Sequence, residues 1–374
     1  MNAPDHNTLW RFFRDNKKAI RGIFGNCVRV AVGSNLIGLV LHAVDGTKMR
    51  AKVSRRSGWH RKDLEGLLKR IDESVDKAIE EIEATGEDEA GDDSRRYRLP
   101  KELQDRDALR RKIKEALRDM DITGQDHLHP GDRETQMMKC EGKVEFGYNA
   151  QVVVDEKSGL IVGQDAVNTP ADAHLLTKMV GEVEKTLEGT AEETVADGGY
   201  ASSEEIMLAE QKGYGVLVPM KKESGEYHSS RFRYDAQRDV CLCPRGMELR
   251  YERTKIGRHN RYQVRVYRCR SHMACLCRLE CSQDKRGRQI EISEYHGVVM
   301  RQREKQKDPV KLEMMKKRKA IVERIFGHIK EAMGFRRFTV NGLEGVKTQW
   351  SLICTAMNLK RMYKWWLKGE LALS

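Results

Sequence analysis

Residues 36–51 read LIGLVLHAVDGTKMRA, and residues 194–200 read TVADGGY. In each, a short apolar run arrives at an aspartate that a glycine follows. The run from Leu36 to Val44 predicts a buried strand ending at Asp45, with Gly46 opening a turn. TVADGGY predicts a second strand ending at Asp197. In open α/β sheets, polar sites collect beyond the carboxyl ends of strands. The two aspartates are therefore the first candidate site.

The neighbouring segments supply the rest of a sheet. YNAQVVVD (148–155) and LIVGQDAV (160–167) alternate, and EKSG between them is a turn, so they predict a hairpin. PADAHLLTKMVGEVEKTL (170–187) predicts a helix with Leu175, Met179, Val183 and Leu187 inward. SSEEIMLAEQKG (202–213) predicts another, with Ser202 and Glu205 at capping-box spacing and Gly213 as its stop. YGVLVPM (214–220) predicts a further strand. Upstream, residues 8–32 predict a helix capped by Thr8. Downstream, a helix is expected from Asp308 to Phe338 and a last one over WSLICTAMNLKRMYKWW (350–366).

Two segments interrupt this pattern. In residues 57–122, Leu64, Leu67, Ile71, Val75, Ile79 and Ile82 form one helical stripe. Leu103, Leu109, Ile113, Leu117 and Met120 form a second, with the acidic loop GEDEAGDD between them. They predict a projecting helical hairpin with a structural role. Residues 221–310 are basic and cysteine-rich. Without these two inserts, a mixed sheet flanked by helices remains, an α/β fold of the ribonuclease H kind. The chain then divides into a helical N-terminal remnant (1–35), a first core strand (36–56), the helical-hairpin insert (57–125), the core (126–220), the cysteine-rich insert (221–307) and the C-terminal core helices (308–374).

Composition narrows the partner. Sixty-nine Lys and Arg against 57 Asp and Glu give a net charge of +12 in 374 residues. That sign favours a polyanion, most commonly nucleic acid. No apolar run approaches the ~20 residues needed to cross a bilayer. The N-terminus MNAPDHNTLWRFF lacks a signal-peptide pattern, so a cytoplasmic protein is expected. Nine cysteines in such a chain argue for metal ligation or core packing over disulfides.

A third carboxylate, Glu323, lies on the late helix, and Lys330, seven residues on, would share its face. Three clustered carboxylates repel unless a cation neutralises them. Hard oxygen ligands suit Mg2+ or Mn2+. Two such ions about 4 Å apart suit phosphodiester chemistry.

At these residues the chain resembles bacterial insertion-sequence transposases of the DDE class. VDGTKMRA (44–51) is similar to the segment carrying the first aspartate, and GYNAQVVVD (147–155) and VADGGY (195–200) to the strands around the second. VERIFGHIKEAMGFRRF (322–338) resembles the glutamate helix, and WSLICTAMNL (350–359) the terminal helix. The resemblance implies cleavage and strand transfer of double-stranded DNA, at element ends and target, by a homodimer on DNA. It implies that Asp45, Asp197 and Glu323 bind metal and that Lys330 contacts phosphate, with Arg336 and Arg337 holding the strands. Lys316 and Lys319 stand where the family signature has Tyr and Arg. Asp132, in GDRETQMMK (131–139), is a competing first ligand. Family members carry a longer helical region ahead of residues 4–16, so a shortened N-terminus is expected. The alternatives are a chain that binds DNA without cutting and a metal-dependent nuclease that cuts without joining.

CLCPRG (241–246) and CRSHMACLCRLEC (269–281) offer Cys243, His272, Cys275 and Cys281 as a tetrahedral structural Zn2+ set. Cys241, Cys269 and Cys277 are alternative ligands, and a metal-free cysteine cluster is the plain reading. The intervening RYERTKIGRHNRYQVRVYRCR (250–270) could lie along a DNA backbone or form a solvated basic face. Outside nucleic-acid chemistry, the segment reads as a zinc-stabilised interaction module.

Overall fold

A computed structural model describes residues 4–86, 101–220, 224–257 and 262–369. The acidic loop over 87–93 and the side chains of Val75, Ile79, Ile82 and Leu103 lie outside the described residues. The N-terminal helix is two helices, α1 (His6–Asp15) and α2 (Lys17–Gly33), and the cap is Asp5 rather than Thr8. Asp5 Oδ1 accepts the Thr8 amide at 2.8 Å, because a carboxylate three residues upstream reaches an orphan first-turn N–H.

The strand β1 runs Leu41–Arg50, so Asp45 lies at its middle and residues 36–40 precede it as a loop. After it come β2 (Trp59–His60), α3 (Arg61–Gly86), α4 (Lys101–Thr123) and β3 (His127–Leu128). The two helices form the hairpin and bury Leu64, Ile71, Ile113, Ala116 and Met120 between them, with Leu128 at the base. β2 and β3 pair antiparallel and close it.

The core resumes with β4 (Gln136–Cys140), β5 (Lys143–Asp155) and β6 (Ile161–Val167). β4 was not legible as a strand. Its turn onto β5 uses Glu141 and Gly142, both at positive φ, a geometry for which the glutamate gives no sequence signal. Then follow α5 (Leu176–Leu187), β7 (Glu193–Val195), α6 (Ser203–Gln211) and β8 (Val216–Leu217). The capping box does not form. Ser202 makes no side-chain cap bond, and buried Glu205 instead accepts the Thr177 amide at 3.0 Å, tying α6 to α5.

These strands make one mixed sheet in the order β6-β5-β1-β7-β8, with β4 also paired to β5. β1 is antiparallel to β5 and parallel to β7, and β8 is parallel to β7. Val152, Val153 and Val154, successive on β5, are all fully buried, so both faces are covered. A buried amide side chain bonds the outer backbone at one point of β6 and at the β8 edge. Asn358 bonds both the N–H and the C=O of Ile161 on β6. Gln302 bonds Val216 O and the Val218 amide at β8. Backbone groups occupied in this way are not available to another strand.

Residues 233–293 build a second sheet, a meander of β9 (Arg233–Asp235), β10 (Val240–Leu242), β11 (Glu248–Ile256), β12 (Gln263–Cys269) and β13 (Gln289–Ser293). A short helix, α7 (Arg278–Cys281), lies between β12 and β13. The chain returns through α8 (His296–Lys305), which carries Gln302, to α9 (Pro309–Gly327) and α10 (Leu343–Leu367). The helix expected through Phe338 stops being α-helical at Gly327 and continues as one π-turn, His328–Ala332. α9 packs on β1, β5 and β7, and α10 on α2 and β6. Trp350 of α10 is fully buried and donates its indole N–H to Gln151 O at 3.0 Å.

Candidate active site and basic grooves

The parallel pairing of β1 with β7 ends at Ala43 and Val195. Beyond that point β1 continues and the β7 chain leaves the sheet. Asp45 therefore faces an opening in the ladder even though it sits in mid-strand. Asp197, two residues past β7, caps a short 3-10 turn (Gly198–Tyr200) by accepting the Gly199 amide at 2.8 Å. Burial pushes the Asp45 carboxyl above the usual range, Arg318 opposes this, and the charge of Asp197 adds to the rise. The structure thus brings Asp45 and Asp197 together. Gly46 does not serve a turn, because the strand runs on. A Cβ there would lie 2.0 Å from Gln151 Nε2, so glycine is needed for close approach of β5.

A third aspartate, Asp172, was missed. It precedes α5 and lies beside Gly199, where a Cβ would come 3.6 Å from Asp172 Oδ2. Lys48 Nζ pairs with both of its oxygens at 2.7 Å, and Asn149 and Gln151 donate to Oδ1 at 2.8 and 2.9 Å. The buried Tyr200 hydroxyl donates to Gln151 Oε1. Burial holds that phenol far above its usual range, with Asp172, Asp45 and Asp197 adding to it. No sequence signal marked Asp172, because it fell inside the stretch 170–187 read as helix, whereas the helix begins at Leu176.

Glu323 is placed otherwise. It lies on the exposed side of α9, its side chain 62% exposed, 3.6 Å from Lys319 one turn back. Val322 and Ile325 take the buried face. The α9 side chain that reaches Asp45 is Arg318, at 2.7 Å. Among the described residues, no group of three or more His, Cys, Asp or Glu stands at metal-holding spacing. Lys330 does not share the face of Glu323, because the π-turn adds a residue to its turn. It is half-buried and faces Glu141 at 3.9 Å. Asp132 is buried, and Tyr148 donates to it at 2.7 Å. The neighbouring Arg133 pairs with Asp119.

Two basic grooves flank this site. The first, about 520 Å3, is lined by Arg50, Lys52, Arg55, Arg56 and Arg337, with Glu145. Arg50 is five residues along β1 from Asp45, about 17 Å at strand rise. Arg336 points away, paired with Glu141 and Glu331. The second, about 360 Å3, lies between α9 and α10 and is lined by Arg324, His328, Lys360, Arg361, Lys364 and Lys368, with no carboxylate. Arg361 lies over the Trp365 ring at 5.7 Å. Burial and Arg324 lower the pKa of Arg361, so an anion there would relieve like-charge repulsion.

The cysteines divide by environment. Cys241 is fully buried in the module core, and Cys277 hydrogen-bonds with the Tyr227 hydroxyl. Cys243 accepts the Met247 amide at 3.2 Å. Cys269, His272, Cys275 and Cys281 line one small cavity.

No helix among the described residues is long and apolar enough to cross a membrane. A comparison with curated proteins finds no match. Residues 242–363 match the family model of the transposase DDE domain, a span that holds Glu323, Lys330 and the part of the second groove from Arg324 to Arg361 but neither Asp45 nor Asp197. By that match, residues 242–363 are similar to the transposase DDE domain.

Proposed function

We propose that this protein cleaves DNA strands and transfers the freed ends, by divalent-metal-assisted phosphoryl transfer at Asp45 and Asp197. The observation that carries the reading is the juxtaposition of those two aspartates where β1 outruns β7. The sheet order, with β5 antiparallel between β6 and β1 and β7 and β8 parallel beyond, supports a ribonuclease H-like core. The donors fit a hard cation. Both are carboxylates, and Asp197 has no ion-pair partner among the described residues. A bound Mg2+ or Mn2+ supplies a Lewis acid that favours ionised water and steadies charge on the scissile phosphate.

The chain's own residues do the rest. Asp45 and Asp197 would hold the cation, and Glu323, which stands on the outward side of α9, would complete the set only if α9 turned it towards them. Arg318 keeps Asp45 neutralised until then. Lys48, Asn149, Gln151 and Tyr200 fix Asp172 and with it the floor of the site. The two basic grooves guide the duplex by phosphate contacts. One insertion needs two ends cut, so the working form is a homodimer on double-stranded DNA.

Cleavage of an end-containing duplex in Mn2+ tests this, with strand transfer of pre-cut ends as a second readout. Asp45→Asn, Asp197→Asn and Glu323→Gln should each abolish both while DNA retention persists. Equal activity in variants and parent would refute the assignment. A second reading has its own support. Arg318 on Asp45 and the outward Glu323 favour a chain that binds DNA without cutting. In that case the parent would retain DNA and cut none in Mn2+.

A further inference from the structure

The loop from Arg270 to Arg288, between β12 and β13, is held unusually. Its apolar side chains Met273, Leu276 and Leu279 point to solvent, 71%, 103% and 84% exposed. The side chains it turns inward are thiols and an imidazole. A loop that buries no Leu or Met gains little from the hydrophobic effect, and small modules of this kind are commonly stapled by a metal or disulfides. All the cysteines are free.

The inward groups surround a cavity of about 30 Å3, lined by Cys269, His272, Cys275 and Cys281, with Arg278 and Arg288. That space holds a water-sized guest. The imidazole is prepared for a ligand. His272 Nε2–H donates to Lys285 O at 2.9 Å, which fixes the tautomer and leaves a lone pair on Nδ1. Nδ1 is buried and has no hydrogen-bond partner. Gly287, at φ +90, packs its backbone on the ring, and a Cβ there would lie 2.9 Å from Nδ1.

We propose that Cys269, His272 through Nδ1, Cys275 and Cys281 bind one structural Zn2+. Three thiolates and an imidazole make a closed tetrahedral shell, with Zn–S near 2.3 Å, that leaves no position for substrate. Each thiol loses its proton to solvent as the ion enters. The described side chains do not yet stand at ligand spacing, so the shell closes by rotation of the cysteines. The ion ties the loop to the end of β12, the link that apolar packing does not provide. Spacing alone nominated Cys243 as the fourth ligand. The cavity lining adds Cys269, which ends β12; Cys243, which accepts the Met247 amide, stands near Cys269 and Cys281 but is not among the lining residues. The inference does not depend on DNA cleavage.

The test is metal content of the full chain purified with zinc and then desalted, together with Co2+ replacement. About one zinc per chain is expected, and a tetrahedral thiolate–cobalt absorption on replacement. Both readouts use the parent protein, so a poorly folding variant cannot obscure them. Cys269→Ser, Cys275→Ser, Cys281→Ser and His272→Ala should each weaken zinc retention at least about tenfold, whereas Cys277→Ser should not. A zinc-free parent without a cobalt spectrum overturns the site. Zinc retained by Cys269→Ser and lost from Cys243→Ser overturns the ligand set.

Discussion

The mixed sheet and the cysteine-rich meander solve the same problem, holding polar chemistry in place, by opposite means. The sheet around β1 is buried on both faces and sets its aspartates where β7 leaves the ladder. Its polar groups are held by a rigid apolar surround and by a connected network from Lys48 to Tyr200. The meander has a core of eight buried side chains, Tyr227 to Ile292, too few to order its long loop. It relies on charge instead. Arg268 bonds Glu252 at 2.8 Å, Asp284 at 3.2 Å and Gln289 at 2.9 Å across three segments. The proposed catalytic aspartates thus sit in the region with the larger apolar core.

The sharpest way to break this contrast is at Asp45. Asp45→Asn should lower Mn2+-dependent cleavage on the order of 10^3-fold, the scale for removing a group that acts at the transition state. The thermal midpoint should hold or rise, since the replaced carboxyl is one that burial disfavours. Loss of folding in place of loss of cleavage would show that the aspartate is structural.

Trp350→Ala should cost about 3–5 kcal/mol, by cavity formation and loss of its bond to Gln151 O. Hydrogen exchange should rise through β5 and β1 and leave β11 and β12 unchanged. Equal loosening of both sheets would mean that they unfold as one unit.

The third expected effect is a pH dependence confined to the core. His42 is buried beside Asp155, and burial lowers its pKa from 6.5 to about 4. The unfolded chain therefore binds this proton where the folded chain does not. Stability is full above pH 6.5 and falls as the pH drops towards 4. Between pH 7 and 5 the loss is about 2 kcal/mol. Asp45 and Asp132, whose folded pKa values are raised, oppose it at lower pH. His42→Gln should flatten the thermal midpoint between pH 7 and 5, and an unchanged slope would remove the assignment.

Arg268→Ala should cost about 2 kcal/mol, since it deletes charged hydrogen bonds. Protection should fall in β11 to β13 alone. The smallest effects belong to the grooves. Arg55→Ala and Lys364→Ala should each reduce the salt slope of DNA binding by about 1 with little change in folding. A variant that leaves the slope intact removes its groove from the DNA path.

Much of this was legible along the chain. The β5–β6 hairpin, α5, α6 and α10 follow from alternation and helical periodicity, signals that neighbouring residues carry locally. Asp45 and Asp197 were nominated because each follows an apolar run and precedes a glycine. The reason for Gly46 was misjudged, since only the approach of Gln151 explains it. The π-turn after Gly327 was invisible, because no residue type demands it, and it rotated Lys330 off the face of Glu323.

The sequence by itself determined most elements of the mixed sheet and its flanking helices, the basic charge and the nomination of the two aspartates, because these depend on residue type and short-range period. Tertiary structure decided which partners those residues have. It set Asp172 beside the pair, laid Arg318 on Asp45, turned Glu323 outward and gathered Cys269 with His272. The contacts of Asp172 and of Arg318 join residues tens to hundreds of positions apart, and their geometry depends on strand register and helix rotation, which a one-residue shift reverses.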